Sequence, residues 1–190
     1  MKTISLPDDS DLLIYKKQMN GDNVSNISHP FNITFSDKIR FLGYNMERVN
    51  TNTTKELELI GRITNTYKIT YYWKCLKPMD KNYMIFVHFI DNKGNIIFGQ
   101  DHNPVYGTYP TSDWIPGTIY QESYFVSPSG NVPDGTYSMG IGFYTTSGEK
   151  LVPDNGQKDR YDGNRVLIGN FSVINNQTDF YKKMPDYLKK

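Results

Sequence analysis

The chain has 190 residues, which is long enough for one domain with a buried core. Its 21 basic and 20 acidic residues leave a formal net charge of +1, and this balance argues against binding to nucleic acid or to an anionic membrane. The single cysteine, Cys75, excludes an internal disulfide and therefore a small secreted framework held together by disulfides.

The sequence also gives indications of where in the cell the protein acts. No apolar run approaches ~18 residues, so we predict no membrane span. The residues after Met1 lack the apolar segment of a signal peptide, which leaves a cytoplasmic protein or a start inside a longer gene. We favour the second: an extracytoplasmic or cell-surface module that is part of, or released from, a longer protein. Six N-x-[ST] sequons fit that location, although a chain rich in Asn and Thr also forms sequons by chance.

Period-two alternation of apolar and polar residues predicts strands along most of the chain. Residues 1–30 are polar and are interpreted as an N-terminal arm. The alternation begins at Phe31 and recurs at Leu57 and Leu59. Strands are predicted at residues 31–35, 39–44, 66–76, 82–91, 96–100, 118–126, 136–144, 150–152 and 165–174. Residues 175–190 form a charged tail, interpreted as a short helix or a linker.

These strands predict the fold class. About nine or ten short strands at this spacing are typical of an all-β, antiparallel β-sandwich, immunoglobulin-like or jelly-roll. We expect a single sandwich domain over residues 31–174, between the arm and the tail. Small residues at positions 138, 140 and 142 are expected to allow a close backbone approach. The expected core consists of large apolar side chains, namely Tyr71, Trp73, Ile85, Val87, Phe89, Tyr137, Ile141 and Phe143.

The long loop at residues 101–117 is the first candidate site. It holds three prolines, two glycines and a concentration of polar and aromatic side chains. Exposed aromatic rings stack on sugar rings, and neighbouring Asp and His side chains bind hydroxyl groups. The predicted ligand-binding residues are Asp101, His102, Tyr106, Tyr109 and Trp114. The alternative is that these rings plug the end of the sandwich and hold the loop rigid.

Metal sites are weakly indicated. His88 is interpreted as a buried histidine that hydrogen-bonds a neighbouring segment, and together with His102 it would supply only half of a zinc site. The segment 154–163 has spaced carboxylates, so calcium is kept as an alternative, with Asp154, Asp159 and Asp162 as ligands. A solvated acidic loop is the favoured interpretation, and we predict no cofactor.

No catalytic motif is recognisable. Ser112 does not lie in a G-x-S-x-G elbow, and the chain has no P-loop. The carboxylates that a glycosidase pair would need are confined to Asp91, Asp101, Asp113 and Glu122, and their spacing does not demand such a pair. We therefore predict that the chain is not an enzyme.

Four segments carry a resemblance to a known module. They are YYWKCLKP at residues 71–78, YMIFVHFIDNKG at 83–94, the stretch from QDHNP to YPTSDWIPG at 100–117, and VPDGTYSMGIGFY at 132–144. In these segments the chain resembles the C-terminal β-sandwich module of prokaryotic, membrane-embedded glycosyltransferases of the dolichyl-phosphate-mannose mannosyltransferase type, and of related cell-surface proteins. Thr118 departs from the Glu that usually follows the Pro-Gly pair. The resemblance implies a non-catalytic, extracytoplasmic module.

The loop and the resemblance together predict the function. We expect a carbohydrate-binding module, or one accessory to cell-surface glycan assembly, with a glycan or a cell-envelope protein as partner. The alternative is a structural or protein–protein interaction domain of a cell-envelope protein. Exposure of Tyr106, Tyr109 and Trp114 separates the two, since exposed rings favour sugar binding and buried rings favour a scaffold.

Overall fold

The protein is built almost entirely from β-strands. The computed structural model describes residues 16–18, 26–48, 67–126, 132–154, 161–162, 164–174 and 177–181, without the side chains of 16–18, 161–162, 174 and 177–181. The described residues form twelve strands. These are β1 (Lys16–Gln18), β2 (His29–Phe35), β3 (Ile39–Arg48), β4 (Tyr67–Cys75), β5 (Met84–Ile90), β6 (Ile96–Gly99), β7 (Ile119–Val126), β8 (Gly135–Tyr144), β9 (Lys150–Leu151), β10 (Tyr161–Asp162), β11 (Arg165–Ile174) and β12 (Gln177–Tyr181).

The strands form two sheets, and every pairing among the described strands is antiparallel. The first sheet has the order β1-β7-β4-β3-β2. The second has the order β10-β11-β8-β5-β6, with β12 paired to β11 and β9 paired to β8. The predicted all-β antiparallel sandwich is confirmed. The chain crosses from β6 in the second sheet to β7 in the first through the loop at residues 101–117.

The core lies between the two sheets, where alternate residues of each strand point inward. All eight residues predicted for the core are buried in one cluster, which confirms that prediction. Ring contacts join the sheets directly: the edge of Phe143 meets Trp73, with ring centroids 5.0 Å apart, and Phe35 meets Phe143 in the same way. Edge-to-face pairs of this kind add to the free energy of burial.

The outer face of β4 differs from the prediction. The two-residue alternation of residues 66–76 places Lys68, Thr70, Tyr72 and Lys74 on a face that is predicted to be solvent-exposed, but Thr70 and Tyr72 are buried. Because β4 lies between β3 and β7, neighbouring strands supply partners for both side chains. The Thr70 hydroxyl lies 2.8 Å from that of Ser123, and the Tyr72 hydroxyl accepts a hydrogen bond from Asn45.

The small residues on β8 make room for a side chain as well as for backbone. An ideal Cβ at Gly142 would lie 2.6 Å from Cε1 of Phe86, closer still to its Cζ, and 2.9 Å from the Asn164 carbonyl oxygen. The ring of Phe86 therefore crosses the outer face of the second sheet where β8 has no side chain. This arrangement creates the floor of the cleft described below.

Two strands lie in the segments assigned to the arm and the tail. β1 pairs with β7, and β12 pairs with β11, so residues 180–181 of the tail lie in a strand and not in a helix. The remainder of the tail, and Leu57 and Leu59, lie outside the described residues. The predicted domain boundaries themselves stay predictions. In the part of the chain that the structure describes, no helix is long and apolar enough to cross a membrane.

Candidate functional site

The aromatic rings of the loop at residues 101–117 pack against the strand that follows it. Two short 3-10 turns, Pro104–Gly107 and Thr111–Asp113, shape it. Trp114 is only 3% exposed, lies flat on Tyr120 with ring centroids 4.4 Å apart, and donates its indole N–H to the Tyr109 carbonyl at 3.2 Å. Tyr109 also packs against Tyr120. The rings of Trp114 and Tyr109 therefore close the end of the sandwich.

A buried carboxylate lies beneath this loop. Glu122 is 4% exposed, and its two oxygens accept hydrogen bonds from the indole N–H of Trp73 at 2.7 Å and from the backbone N–H of Val105 at 2.8 Å. Buried charge is tolerated only where such donors compensate for lost hydration. Glu122 therefore ties the loop to the centre of the core.

The backbone that Glu122 holds is strained. Val105 and Tyr106 have φ values of 50° and 54°, in the left-handed region that L-residues rarely adopt. The hydroxyl of Tyr124 accepts the Tyr106 N–H at 2.9 Å and donates to the Asn103 carbonyl at 2.8 Å. Side-chain acceptors thus satisfy both strained amides, which explains how the chain keeps this conformation.

His102 packs beside the same carboxylate. Its Nδ1 lies 3.0 Å from the Gln100 carbonyl, so this nitrogen donates, and its ring packs at a tilt against Tyr124 with centroids 3.7 Å apart. Nε2 lies 3.7 Å from Glu122. Nε2 and the buried Tyr71 hydroxyl have no hydrogen-bond partner among the described residues. Burial, and then the charge of Glu122, raises the pKa of Tyr71, so its hydroxyl stays protonated.

The five predicted ligand-binding residues do not form one platform of exposed rings. His102 and Trp114 are packed inside, and Tyr109 is partly buried against the core. Tyr106 is 50% exposed, and Asp101 is also exposed. Burial of Trp114 favours the alternative that the loop is a rigid plug. The ligand-binding role of these residues stays a prediction, and Asp101 turns out to line a different feature.

That feature is a cleft on the outer face of the second sheet, called here the outer-sheet cleft. Its volume is about 350 Å³. It is lined by residues from six separate segments of the chain, namely Phe86, His88, Ile96, Asp101, Tyr144, Lys150, Asn164 and Arg165. Small-molecule sites typically measure about 300–1,000 Å³, so this cleft falls at the lower end of that range.

Aromatic rings form the floor of the outer-sheet cleft. The rings of Phe86 and His88 stack with centroids 4.7 Å apart and planes 19° apart, and Tyr144 lies 6.2 Å from Phe86. The sequence places Phe86 and His88 on one face of β5 because they are two residues apart. Gly142, directly across the sheet from Phe86, leaves the space that the Phe86 ring occupies.

Charged groups surround this floor. Nε2 of His88 lies 3.4 Å from the Asp101 carboxylate. Burial lowers the pKa of His88, Asp101 opposes this effect, and the positive charges of Arg165 and Lys150 add to the lowering. His88 is therefore neutral at neutral pH, which leaves two cations and one carboxylate in the cleft. Burial, and then Asp101, raises the pKa of Tyr144, so its hydroxyl keeps its proton.

The two-residue spacing of Phe86 and His88 places them on one face of β5, but it does not identify the outer-sheet cleft. The available signal was the row of small residues at 138, 140 and 142, which indicates that something lies over that face. The histidines do not meet, since His88 faces Asp101 while His102 packs against Tyr124. His88 is half-buried, and its Nδ1 has no hydrogen-bond partner in the described part of the chain.

Metal binding is not indicated by the described side chains. They contain no group of three or more His, Cys, Asp and Glu that could hold a metal ion. Of the calcium candidates, Asp154 is exposed, Asp159 lies outside the described residues, and Asp162 is described only as backbone in β10. The calcium alternative therefore stays a prediction. Burial raises the pKa of Cys75 to about 11, so this thiol is not a ready metal ligand or nucleophile.

Comparison with known proteins adds little. No protein-family model matches the chain, and no curated protein is similar to it in sequence. Solved structures similar to it include the C-terminal domain of Wzt, at 7% identity and a TM-score of 0.49, covering 77% of this chain and 80% of that one. Another is the putative ApaA protein from Bordetella pertussis, at 13% identity and a TM-score of 0.30, covering 75% and 92%. Likenesses this distant carry no argument about function, and the resemblance to the glycosyltransferase module stays a prediction.

Proposed function

We propose that this domain is a non-catalytic module that binds a saccharide in the outer-sheet cleft. The observation that carries the proposal is an aromatic floor ringed by hydrogen-bonding side chains. Sugars present flat apolar C–H faces and a rim of hydroxyl groups, so a site for them needs both features. Here His88 and Tyr144 supply partly exposed rings beside the buried ring of Phe86, and Asp101 and Asn164 supply oxygen and amide groups at the rim.

The position of these groups suits binding without chemistry. Asp101 is paired with His88 at 3.4 Å, and both oxygens of the buried Glu122 already accept hydrogen bonds from the protein. Among the described residues, no second carboxylate lines the cleft beside Asp101. Hydrolysis of a glycosidic bond requires a pair of carboxyl groups about 5–10 Å apart. Binding is therefore the activity that this arrangement favours.

The proposal includes an extracytoplasmic or cell-surface location. Its support is the six sequons and the resemblance to the modules of membrane-embedded glycosyltransferases. In that setting the domain would hold a glycan close to a partner that processes or exports it. The glycan-accessory role and the location do not depend on the binding activity, and each needs its own test.

The test is a glycan-array screen of the purified chain, run in calcium and again in EDTA. Tyr144→Ala and Asp101→Ala should abolish the signal while the near-ultraviolet circular dichroism spectrum stays native. Phe125→Ala is the matched control, because Phe125 is exposed on the outer face of the first sheet. Tyr106→Ala tests the loop at residues 101–117. If Tyr106→Ala loses glycan binding and Tyr144→Ala binds normally, the binding site lies in the loop and not in the outer-sheet cleft. Loss of signal in EDTA would revive the calcium alternative.

A second candidate is a protein-interaction domain. Ile96 and Ile97 are exposed on β6, which ends the order of described strands in the second sheet. An edge strand can pair with a strand of a partner. Its register with β5 shifts between Phe89 and Ile90, so the edge is irregular and less suited to such pairing. This second function would be favoured if no glycan on the array binds and if a protein partner binds the wild-type chain but not Ile96→Lys.

A further inference from the structure

We infer that the saccharide bound in the outer-sheet cleft carries an anionic group, a carboxylate or a phosphate, which Lys150 and Arg165 hold. This inference rests on the proposed saccharide-binding function. It assigns a ligand chemistry that the aromatic floor alone would leave open.

The two cations reach the cleft from two strands that both pair with β8. Lys150 begins β9, Arg165 begins β11, and both line the same cleft as the aromatic floor. Both side chains lower the pKa of His88, which shows that their charge acts at the floor. A ligand lying on the rings would therefore lie in the field of two positive charges.

The carboxylate in the cleft offsets only part of this field. Asp101 faces His88 at 3.4 Å, and it helps to raise the pKa of the Tyr144 hydroxyl. Its charge is thus directed at groups of the protein on one side of the cleft. With His88 neutral, the lining keeps an excess of one positive charge, and Tyr144 contributes none because its hydroxyl stays protonated.

The geometry of the cations favours an oxyanion over a neutral hydroxyl. A guanidinium presents a planar fork of N–H donors that matches a carboxylate or phosphate, whereas a lysine acts as a mobile point charge. A neutral sugar would partly desolvate these two cations without returning a charge, which costs free energy in a half-enclosed site. An anionic sugar supplies that charge, and a cationic ligand would be repelled.

The experiment compares matched glycans. Oligosaccharides containing glucuronic, galacturonic or mannuronic acid are printed beside their carboxyl-reduced counterparts, and sugar phosphates are printed beside the dephosphorylated sugars. The best pair is then measured by isothermal titration calorimetry at low and high salt. We expect the acidic member to bind about tenfold tighter, or about 1.4 kcal/mol. This preference should shrink as salt screens the charges. The preferred series tells a carboxylate from a phosphate.

Variants locate the preference. Lys150→Gln and Arg165→Gln should each reduce the preference for the acidic member, and Arg165→Lys should retain part of it. Lys68→Gln is the charge-matched control, because Lys68 lies on β4 in the other sheet and pairs with Glu47. Lys150 is exposed, so its variant should fold even if an Arg165 variant does not.

The outcomes separate the two proposals. Equal affinity for the acidic and neutral members, with binding still lost in Tyr144→Ala, would overturn the anionic ligand and leave the saccharide function standing. An equal loss in Lys68→Gln would also overturn it, because the effect would then be one of overall charge. If no glycan of either series binds the chain, both the saccharide function and the anionic ligand are overturned.

Discussion

Replacing Glu122 by Gln tests whether the buried carboxylate holds the loop at residues 101–117. The two oxygens of Glu122 accept from Trp73 Nε1 and from the Val105 amide at 2.7 and 2.8 Å. Glutamine keeps the size of the side chain but has one acceptor oxygen, so one of these N–H groups must face an amide NH₂. The substitution therefore removes one buried hydrogen bond without opening a cavity.

The magnitude follows from these contacts. A hydrogen bond to a charged group contributes about 1.5–3 kcal/mol, and a buried donor left without a partner costs about 1–3 kcal/mol. The neutral amide recovers part of this loss because a charge no longer has to be buried. We expect a net loss of about 2 kcal/mol, which lowers Tm by about 4–8 °C for a chain of this length.

The assay is thermal and urea unfolding followed by tryptophan fluorescence, with amide hydrogen exchange at Val105 as the local measurement. Exchange at Val105 should accelerate more than exchange in the centres of β4 and β8. Glu47→Gln is the control, because Glu47 forms an exposed pair with Lys68 and its loss should cost less than about 1 kcal/mol. A Tm within about 1 °C of wild type, with Val105 still protected, would refute the reasoning.

Two further predictions concern the outer-sheet cleft. Gly142→Ala should destabilise the fold by about 1–3 kcal/mol because the new methyl meets Phe86 and the Asn164 carbonyl. Gly140→Ala should cost less, because the three atoms nearest to its Cβ belong to the side chains of Ile90, Leu167 and Arg165 and lie 3.2–3.4 Å away. In urea unfolding, Phe86→Leu should offset part of the Gly142→Ala loss, by about 1 kcal/mol in a double-mutant cycle. Burial and the nearby cations lower the folded pKa of His88, so its contribution is complete above its unfolded pKa of 6.5 and is lost as pH falls. His88→Gln should therefore lose less stability than wild type between about pH 7.5 and pH 5 in urea titrations.

Each of these has a contrary result. Additive free energies for Gly142→Ala and Phe86→Leu would show that the ring is not what the methyl meets. Equal costs at positions 140 and 142 would point to a general intolerance of side chains on β8. An unchanged acid dependence in His88→Gln would mean that the histidine titrates as it does in the unfolded chain.

Local pattern was sufficient for the strands and the core. The alternation at Tyr67, Ile69 and Tyr71 has the two-residue period of a strand, and that period alone assigns these side chains to the inner face. The predicted core was confirmed because large apolar side chains at that period have a strong preference for burial. The prediction failed where a neighbouring strand changes the environment, as on the outer face of β4.

The sequence by itself therefore determined an all-β sandwich, its core and the position of its long loop. Only the tertiary structure decided that Trp114 is buried, because its cover comes from Tyr120 on the following strand and not from the loop's own composition. Only the tertiary structure assembled the outer-sheet cleft, since His88, Asp101, Lys150 and Arg165 are distant in sequence. The physical reason is that a two-residue period specifies which face of a strand is buried, whereas a binding site depends on which strands the topology brings side by side.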